Sequence, residues 1–154
     1  MEKPILSELT GAARRAAAFQ RMRDAHSTEM AEDYVELIGD LIAQTGEGRL
    51  TDLAENLGVT HATAAKVVQR LTRAGLVESR PYRSIFLTAE GARVAEASRE
   101  RHRIVLEFLL ALGVSEIVAE ADAEGIEHHT SPETLAVFER MTQTLRAPLG
   151  LGAE

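Results

Sequence analysis

Carboxylates and a histidine occur at helical spacing in two short segments of the chain. Asp33 and Glu36 are three residues apart, so on a helix both side chains share one face. Glu124, Glu127 and His128 form an E-x-x-E-H pattern, whose spacings of three and four residues also project in one direction. Such a set suits divalent cations, because carboxylates cancel their charge and can bridge two ions, while imidazole adds a neutral nitrogen donor.

A further histidine, His102, lies on the predicted inner face of a long helix between these two segments. Taken singly, these residues have ordinary explanations. Acid pairs at this spacing are common on solvated helix faces, and a single inward histidine is more often a hydrogen-bonded core residue. The E-x-x-E-H pattern is more specific. The sequence contains no cysteine, which excludes thiolate metal sites and disulfides and favours a reducing cytoplasm.

The length and composition favour a small helical protein. A chain of 154 residues suits one domain or two small domains that share a joint. Apolar residues make up 45% of it but aromatic residues only 4%, so the interior must consist of Leu, Val, Ile and Ala, which favours helices. No apolar run reaches the length of about 20 residues that spans a membrane. The N-terminal segment lacks the apolar stretch of a secretory signal, so we expect a cytoplasmic protein.

The charges are unevenly distributed along the chain. The net charge of −7 argues weakly against a nucleic-acid partner, but the placement of charge matters more than its total. Between residues 60 and 83 basic side chains outnumber acidic ones, whereas acidic side chains predominate from residue 104 onward. The basic residues of the first segment are Lys66, Arg70, Arg73, Arg80 and Arg83. This asymmetry is typical of a DNA-binding segment joined to a domain with another task.

The middle of the chain predicts a winged helix-turn-helix. Thr51 is the predicted cap of a short helix that Gly58 ends, and Thr60 is the predicted cap of a second helix with basic outer residues. The alternating segment that follows is broken by Pro-Tyr-Arg-Ser and predicts a β-hairpin with Arg80 and Arg83 near its tip. A helix pair alone often reflects ordinary packing. A helix pair followed by glycine and a hairpin is typical of a winged-helix DNA-binding domain.

The remaining segments predict helices before and after this domain. Apolar residues recur at helical spacing in them, and Thr88, Ser115 and Ser131 are the predicted caps of the last three. The predicted helices cover residues 8–23, 27–45, 89–112, 115 to 128 or 129, and 132–145.

Six segments of the chain resemble a known family. In order, they are EDYVELIGDLI, LTDLAENLGV, AAKVVQRLTRAGLV, IFLTAEG, RHRIVLEFLLALGV and DAEGIEHHTSPETL. They are similar to the manganese transport regulators, the short, two-domain branch of the metalloregulator family related to the diphtheria toxin repressor. DYVE together with DAEGIEHH is the most specific part of the likeness. The resemblance implies a mainly α fold, with an N-terminal winged helix-turn-helix domain followed by an all-helical dimerisation domain.

The resemblance also implies a metal site. Two manganese(II) ions would bind each subunit, with Glu36 and Glu127 as bridges, His102 on one ion and His128 on the other. Fe2+, Co2+, Cd2+ and Zn2+ can also bind such donors. The six implied ligands are Asp33, Glu36, His102, Glu124, Glu127 and His128. No catalytic residue and no organic cofactor is expected.

The helix-turn-helix and its wing supply the expected contacts to double-stranded DNA. Exposed polar side chains at the start of the second helix can reach base edges and phosphates, and the wing can reach phosphates or the minor groove. The expected residues are Thr60, His61, Thr63 and Lys66 on the helix and Arg80 and Arg83 on the wing. His129 is expected to have a supporting or surface role beside the metal site, and His26 and His61 no metal role.

We expect four regions along the chain. They are a partly helical or disordered N-terminal extension over 1–24, a winged-helix domain over 25–95, a helical metal-binding and dimerisation domain over 96–147, and a flexible tail over 148–154. From the resemblance we expect this chain to lack the third, SH3-like domain of longer relatives and to carry an extension relative to the shortest ones. The extension is either an idle arm or a source of phosphate contacts, with candidates Arg14, Arg15, Arg21 and Arg23.

The expected function is manganese-responsive repression of manganese uptake genes by a homodimer on a palindromic operator, without membrane association. Repulsion between the carboxylates keeps the joint open without metal, and metal fixes the separation of the two recognition helices. Two alternatives remain. One is a winged-helix regulator that responds to an organic ligand or a protein. The other is a carboxylate-bridged di-metal enzyme, which usually needs metal-binding motifs from four long helices.

Overall fold

The computed structural model describes residues 10–80 and 84–147. Within these ranges the chain forms helices and a small antiparallel sheet, which confirms the predicted mainly α fold with an N-terminal winged helix. The elements are α1 Gly11–Thr45, β1 Gly48–Arg49, α2 Leu50–Leu57, α3 His61–Arg73, β2 Val77–Ser79, β3 Ser84–Leu87, α4 Ala89–Ala111, α5 Glu116–Ile126, a 3-10 turn Glu127–His129 and α6 Pro132–Arg146.

Helix α1 is continuous where the sequence predicts two helices, over 8–23 and 27–45. It extends unbroken for 35 residues, because the segment around Ser27 contains neither proline nor glycine to end it. Side chains also bridge the expected gap: the Thr28 hydroxyl donates to the Asp24 carbonyl at 3.1 Å. The helix begins after the cap residue Thr10 and ends at Thr45. The next residue, Gly46, has a φ of 86°, the left-handed conformation that glycine adopts readily.

The helix-turn-helix consists of α2 and α3. Thr60 caps α3 as predicted, with its Oγ1 accepting from the Thr63 backbone N–H at 3.1 Å. The prediction that Thr51 caps α2 is wrong, because the cap position is two residues earlier, at the extended residue Arg49, and α2 begins at Leu50. The backbone before α2 is held by strand β1, because Gly48 and Arg49 pair with β3. Strand β1 has only two residues and is too short to be predicted from the sequence.

The wing is the predicted hairpin of β2 and β3, which pair antiparallel with Val77 opposite Leu87. The strand order is β1-β3-β2, so β3 is central. The hairpin leads directly into α4, whose cap Thr88 donates its hydroxyl to the Gly75 carbonyl at 2.6 Å and accepts from the Gly91 N–H at 3.0 Å. A Cβ atom at Gly91 would lie 1.9 Å from the Leu76 carbonyl oxygen, so only glycine allows this approach.

Two apolar cores lie at opposite ends of α4. The larger one fills the winged-helix half and includes Val35, Ile38, Leu53 and Leu71. The smaller one, around Val105, Ala123 and Leu135, packs α4 against α5 and α6. Because α4 contributes to both cores, it connects the DNA-binding half to the C-terminal half, and α1 packs against it at the joint. No helix among the described residues is both long and apolar enough to cross a membrane.

Candidate metal centre and DNA interface

The candidate metal centre lies where α1, α4 and the 3-10 turn meet. The sequence predicts that α5 continues through His128 or His129, but α5 ends at Ile126 and the chain tightens into the 3-10 turn Glu127–His129. This turn packs against both long helices. It carries the side chains of Glu127 and His128 into the joint, where each is 2% exposed.

The two oxygens of Glu127 face different histidines. Oε2 lies 3.4 Å from Nδ1 of His102 on α4, and Oε1 lies 3.4 Å from Nε2 of His128 in the turn. Among the described residues, Oε2 is also buried without a hydrogen-bond partner. A buried carboxylate oxygen without a partner is costly, so the donor set fits a cation at this position.

On one side of Glu127, the His102 ring lies close to three acidic side chains, those of Glu120, Glu124 and Glu127 itself. Its Nδ1 atom also lies 3.5 Å from Oε1 of Glu124, and single donor atoms of His102, Glu124 and Glu127 lie within 4.8 Å of one another. Its Nε2 atom lies 3.1 Å from Oε2 of Glu120. The sequence prediction missed Glu120, although its position one helical turn before Glu124 could have indicated it.

On the other side of Glu127, His128 is held between two acidic residues of α1. Its Nε2 atom lies 3.4 Å from Oδ1 of Asp33. Its Nδ1–H donates to Oε2 of Glu32 at 2.8 Å, and the same oxygen forms an ion pair with Nη2 of Arg101 at 2.7 Å. Glu32 and Arg101 were not predicted, because nothing in their local spacing indicates a partner that is distant in the sequence.

Glu36 completes the set of carboxylates that converge on the joint. Burial raises the pKa of Glu36 and of Asp33, and the nearby Glu124 carboxylate adds to both shifts. Burial raises the pKa of Glu127 to about 7, with Glu36 and Glu124 adding to the shift and His128 and His102 opposing it. Asp33, Glu36 and Glu127 are therefore costly to ionise together, and a divalent cation is the natural counter-charge.

The predicted ligands thus do not all touch one another. The contacts divide into His102 with Glu124 and His128 with Asp33, and Glu127 contacts both histidines. His129 points elsewhere: its Nε2 atom lies 3.9 Å from Oε2 of Glu29.

The predicted DNA-contacting residues of α3 lie on one exposed surface at the start of the helix. Thr60, His61, Thr63 and Lys66 are all exposed, although the Thr60 hydroxyl is already engaged in capping. Of the wing residues, Arg80 pairs with Glu78 at 2.9 Å and lies over the ring of Phe86 at 4.4 Å. Arg83 lies outside the described residues, as do residues 1–9 of the predicted extension and the predicted tail.

Two family models match most of the chain. The model described as "Iron dependent repressor, N-terminal DNA binding domain" matches residues 26–85, and "Iron dependent repressor, metal binding and dimerisation domain" matches residues 88–148. The chain belongs to the iron-dependent repressor family. It is therefore a metal-responsive, DNA-binding repressor that binds divalent metal and forms a homodimer, and it is not an enzyme.

Named relatives agree with this assignment and confirm the resemblance. Transcriptional regulator MntR of Escherichia coli O6:H1 is 50% identical over 138 residues, which cover 90% of this chain and 89% of that protein. HTH-type transcriptional regulator MntR of Lysinibacillus sphaericus is 38% identical over 104 residues, covering 68% of this chain and 75% of that one.

A solved structure shares the fold. It is described as "Manganese-dependent transcriptional repressor complex with manganese", is 31% identical and superposes with a TM-score of 0.64 over 73% of this chain. The aligned region is 52% of that protein, so this chain spans about half the length of the solved relative.

Proposed function

We propose that this repressor responds to manganese(II) and represses manganese uptake genes. Two ions per subunit would be held by six side chains: Asp33, Glu36, His102, Glu124, Glu127 and His128. The observation that carries the proposal is the position of Glu127, whose two oxygens face different imidazoles while one of them lacks a partner among the described residues. A carboxylate in this position can bridge two ions.

The donor set favours manganese chemically. It contains only oxygen and imidazole nitrogen, since the chain has no cysteine, and hard oxygen donors suit Mn2+. Fe2+, Co2+, Cd2+ and Zn2+ can compete for the same atoms, because Mn2+ is the weakest binder of the divalent series. Selectivity must then depend on geometry and on the number of ions held. No organic cofactor is required.

The bound ions would supply positive charge that offsets the repulsion between the carboxylates. The ligands come from four elements: Asp33 and Glu36 from α1, His102 from α4, Glu124 from α5, and Glu127 and His128 from the 3-10 turn. Without a counter-charge, repulsion loosens the packing of α1 against α4 and the turn. When these side chains are drawn together, the joint between the winged helix and the dimerisation half becomes rigid.

A rigid joint determines how the two winged helices of the homodimer sit on DNA. Recognition helices held at a fixed separation match the half-sites of a palindromic operator about one helical turn apart, or a multiple of it. Thr60, His61, Thr63 and Lys66 would then contact bases and phosphates, and Arg80 and Arg83 would contact phosphates. DNA in turn favours the closed joint, so operator and metal raise each other's affinity. Such a regulator acts in the cytoplasm.

The dimer surface is proposed on α5 and α6. Large apolar side chains are exposed there in the single chain: Ile117 is 87% exposed and Val118 49%. Met141 and Leu145 of α6 are also exposed. Because exposed apolar side chains on neighbouring helices often mark a protein–protein interface, we propose that a second copy of the chain covers them.

One titration tests the proposal. Operators selected from a random duplex library are incubated with the repressor and Mn2+, Fe2+, Zn2+ or a chelator, and DNA binding is followed by fluorescence anisotropy. We expect DNA affinity to rise most at saturating Mn2+ and to fall to the non-specific level with chelator. Operator binding that is indifferent to chelator would contradict the proposal.

A further inference from the structure

Glu32 lies beside the predicted ligand Asp33 but has a different environment. Its side chain is 10% exposed, whereas the side chain of Asp33 is 45% exposed. Its Oε2 atom accepts a hydrogen bond from His128 Nδ1–H at 2.8 Å and pairs with Arg101 Nη2 at 2.7 Å. A buried carboxylate is tolerated only when it is paired and hydrogen-bonded, and Glu32 satisfies both conditions.

This hydrogen bond determines which nitrogen of His128 faces the metal centre. The His128 side chain is 2% exposed, so the ring has no solvent side to turn towards. With Nδ1 directed at Glu32, Nε2 is directed at Oδ1 of Asp33 and Oε1 of Glu127, 3.4 Å from each. The orientation of a metal-binding imidazole is commonly fixed by such a bond to its other nitrogen.

We propose that Glu32 is a positioning residue for His128 and not itself a metal ligand. The inference rests on the proposed function of His128 as a ligand. The Glu32 oxygen that faces the joint is already shared between an imidazole and a guanidinium, and the positive charge of Arg101 disfavours a cation at the same place. The three groups also link α1, α4 and the 3-10 turn without metal.

Arg101 has a defined part in this arrangement. Its side chain is 22% exposed and its guanidinium balances the charge of Glu32. A carboxylate that is paired with a guanidinium also forms a stronger hydrogen bond to Nδ1–H than a neutral acceptor does. The conservative variant Glu32→Gln keeps an acceptor for His128, whereas Glu32→Ala removes it.

The test compares three variants by Mn2+ titration calorimetry. Glu32→Ala is expected to weaken Mn2+ binding by about 10- to 100-fold, and Glu32→Gln to recover most of that loss. The matched control is Asp40→Ala, which breaks an exposed ion pair between the same two helices, Asp40 Oδ1 to Arg99 Nη2 at 2.7 Å. We expect the control to bind Mn2+ as the parent does. Thermal unfolding identifies any variant that fails to fold.

A second readout follows the His128 ring without metal. In metal-free protein at alkaline pH, nitrogen NMR of labelled histidine should place the His128 proton on Nδ1 in the parent and in Glu32→Gln, and lose this preference in Glu32→Ala. An unchanged ring proton in Glu32→Ala, or equal Mn2+ affinity in Glu32→Ala and Asp40→Ala, would overturn the positioning role. So would Glu32→Gln binding as weakly as Glu32→Ala. If the parent itself fails to bind Mn2+, the proposed function fails instead, while the ring measurement still decides the positioning of His128.

Discussion

Oε2 of Glu127 lies 3.4 Å from Nδ1 of His102, buried between two long helices and without a hydrogen-bond partner among the described residues. The other oxygen of the same carboxylate lies at the same distance from a second imidazole. Such a group is stable only with a proton or a cation beside it, because an ionised carboxylate that is buried and unpaired is very costly. This property makes Glu127 the most informative residue to change.

Glu127→Gln should abolish metal-stimulated DNA binding while the fold and the homodimer survive. The amide keeps the shape of the side chain but cannot neutralise or bridge cations. Glu36→Gln is expected to behave in the same way, since it removes the other proposed bridge. DNA-binding titrations with Mn2+, together with sedimentation, measure both properties. A full manganese response in either variant would rule out its proposed role.

Metal-free protein should lose stability as the pH rises from about 4.5 to about 7. Burial raises the pKa of Glu127 from 4.5 to about 7, so over this range the folded chain retains a proton that the unfolded chain has released. The stabilisation is therefore complete below the lower value and lost as the pH passes through the upper one. Burial shifts the pKa of Asp33 and of Glu36 in the same direction.

Unfolding temperatures measured with chelator across this range check the pH dependence. Glu127→Gln should flatten the decline. Glu90→Gln is the control, because a hydrogen bond from Arg93 lowers the pKa of that exposed carboxylate, which therefore titrates below the range. If the decline is equally steep in Glu127→Gln, another group causes it.

Arg80→Ala should weaken binding to all DNA sequences about equally and reduce its salt dependence, because phosphate contacts release counterions. Arg83→Ala is expected to act similarly. Metal affinity without DNA should barely change, since Arg80 lies on the wing, over Phe86, and not in the joint. Binding curves at several salt concentrations, with calorimetry of the metal, test the separation. Loss of metal binding in either variant would show that the wing and the metal centre are coupled.

The double variant Asp33→Met, Glu124→Cys should change which metal activates. It replaces two hard carboxylates by soft sulfur donors, which favour metals later in the divalent series than manganese. In the parent we expect Zn2+ to bind at least as tightly as Mn2+ but to activate less. DNA affinity at saturating levels of each metal decides the ranking, which should move towards iron or cobalt. An unaltered ranking would mean that selectivity is set elsewhere.

Gly91→Ala should destabilise the protein by about 2 kcal/mol or more, because the added Cβ collides with the Leu76 backbone, which has no rotamer to change. That atom would lie 1.9 Å from the Leu76 carbonyl oxygen. Gly125→Ala in α5 is the matched control: its Cβ would meet nothing within 4 Å, and alanine should stabilise the helix by up to about 1 kcal/mol. Denaturant unfolding measures both. Equal stability of the two variants would contradict the close approach at Gly91.

Features that depend on local sequence could be predicted, whereas those that depend on distant partners could not. Thr60 and Thr88 cap their helices as expected, because a cap bonds to a backbone N–H three residues on. Glu32 and Arg101 were missed, since Glu32 meets its partner His128 across 96 residues of sequence. Strand β1 was missed for the same reason: Gly48 is a strand residue only because Ile85 lies opposite.

The metal ligands form an intermediate case. Helical spacing shows that Glu124 and Glu127 project together, but which imidazole each oxygen meets depends on the 3-10 turn that ends α5. Periodicity cannot predict the change from α-helix to 3-10 turn, because the same residues would also fit a continued α-helix. The single helix α1 is a related case, since Ser27 is a good cap residue that the surrounding helix formers outweigh.

The unbroken α1 makes the protein convenient for optical measurement. Phe19 is 58% exposed and lies on the same rigid helix as Asp33, about 21 Å away at the rise of an α-helix. The chain has no cysteine, so Phe19→Cys would accept a thiol-reactive dye at that one position. A dye there follows the winged-helix half as a rigid body, and a second dye on the C-terminal half would convert closure of the joint into an energy-transfer signal.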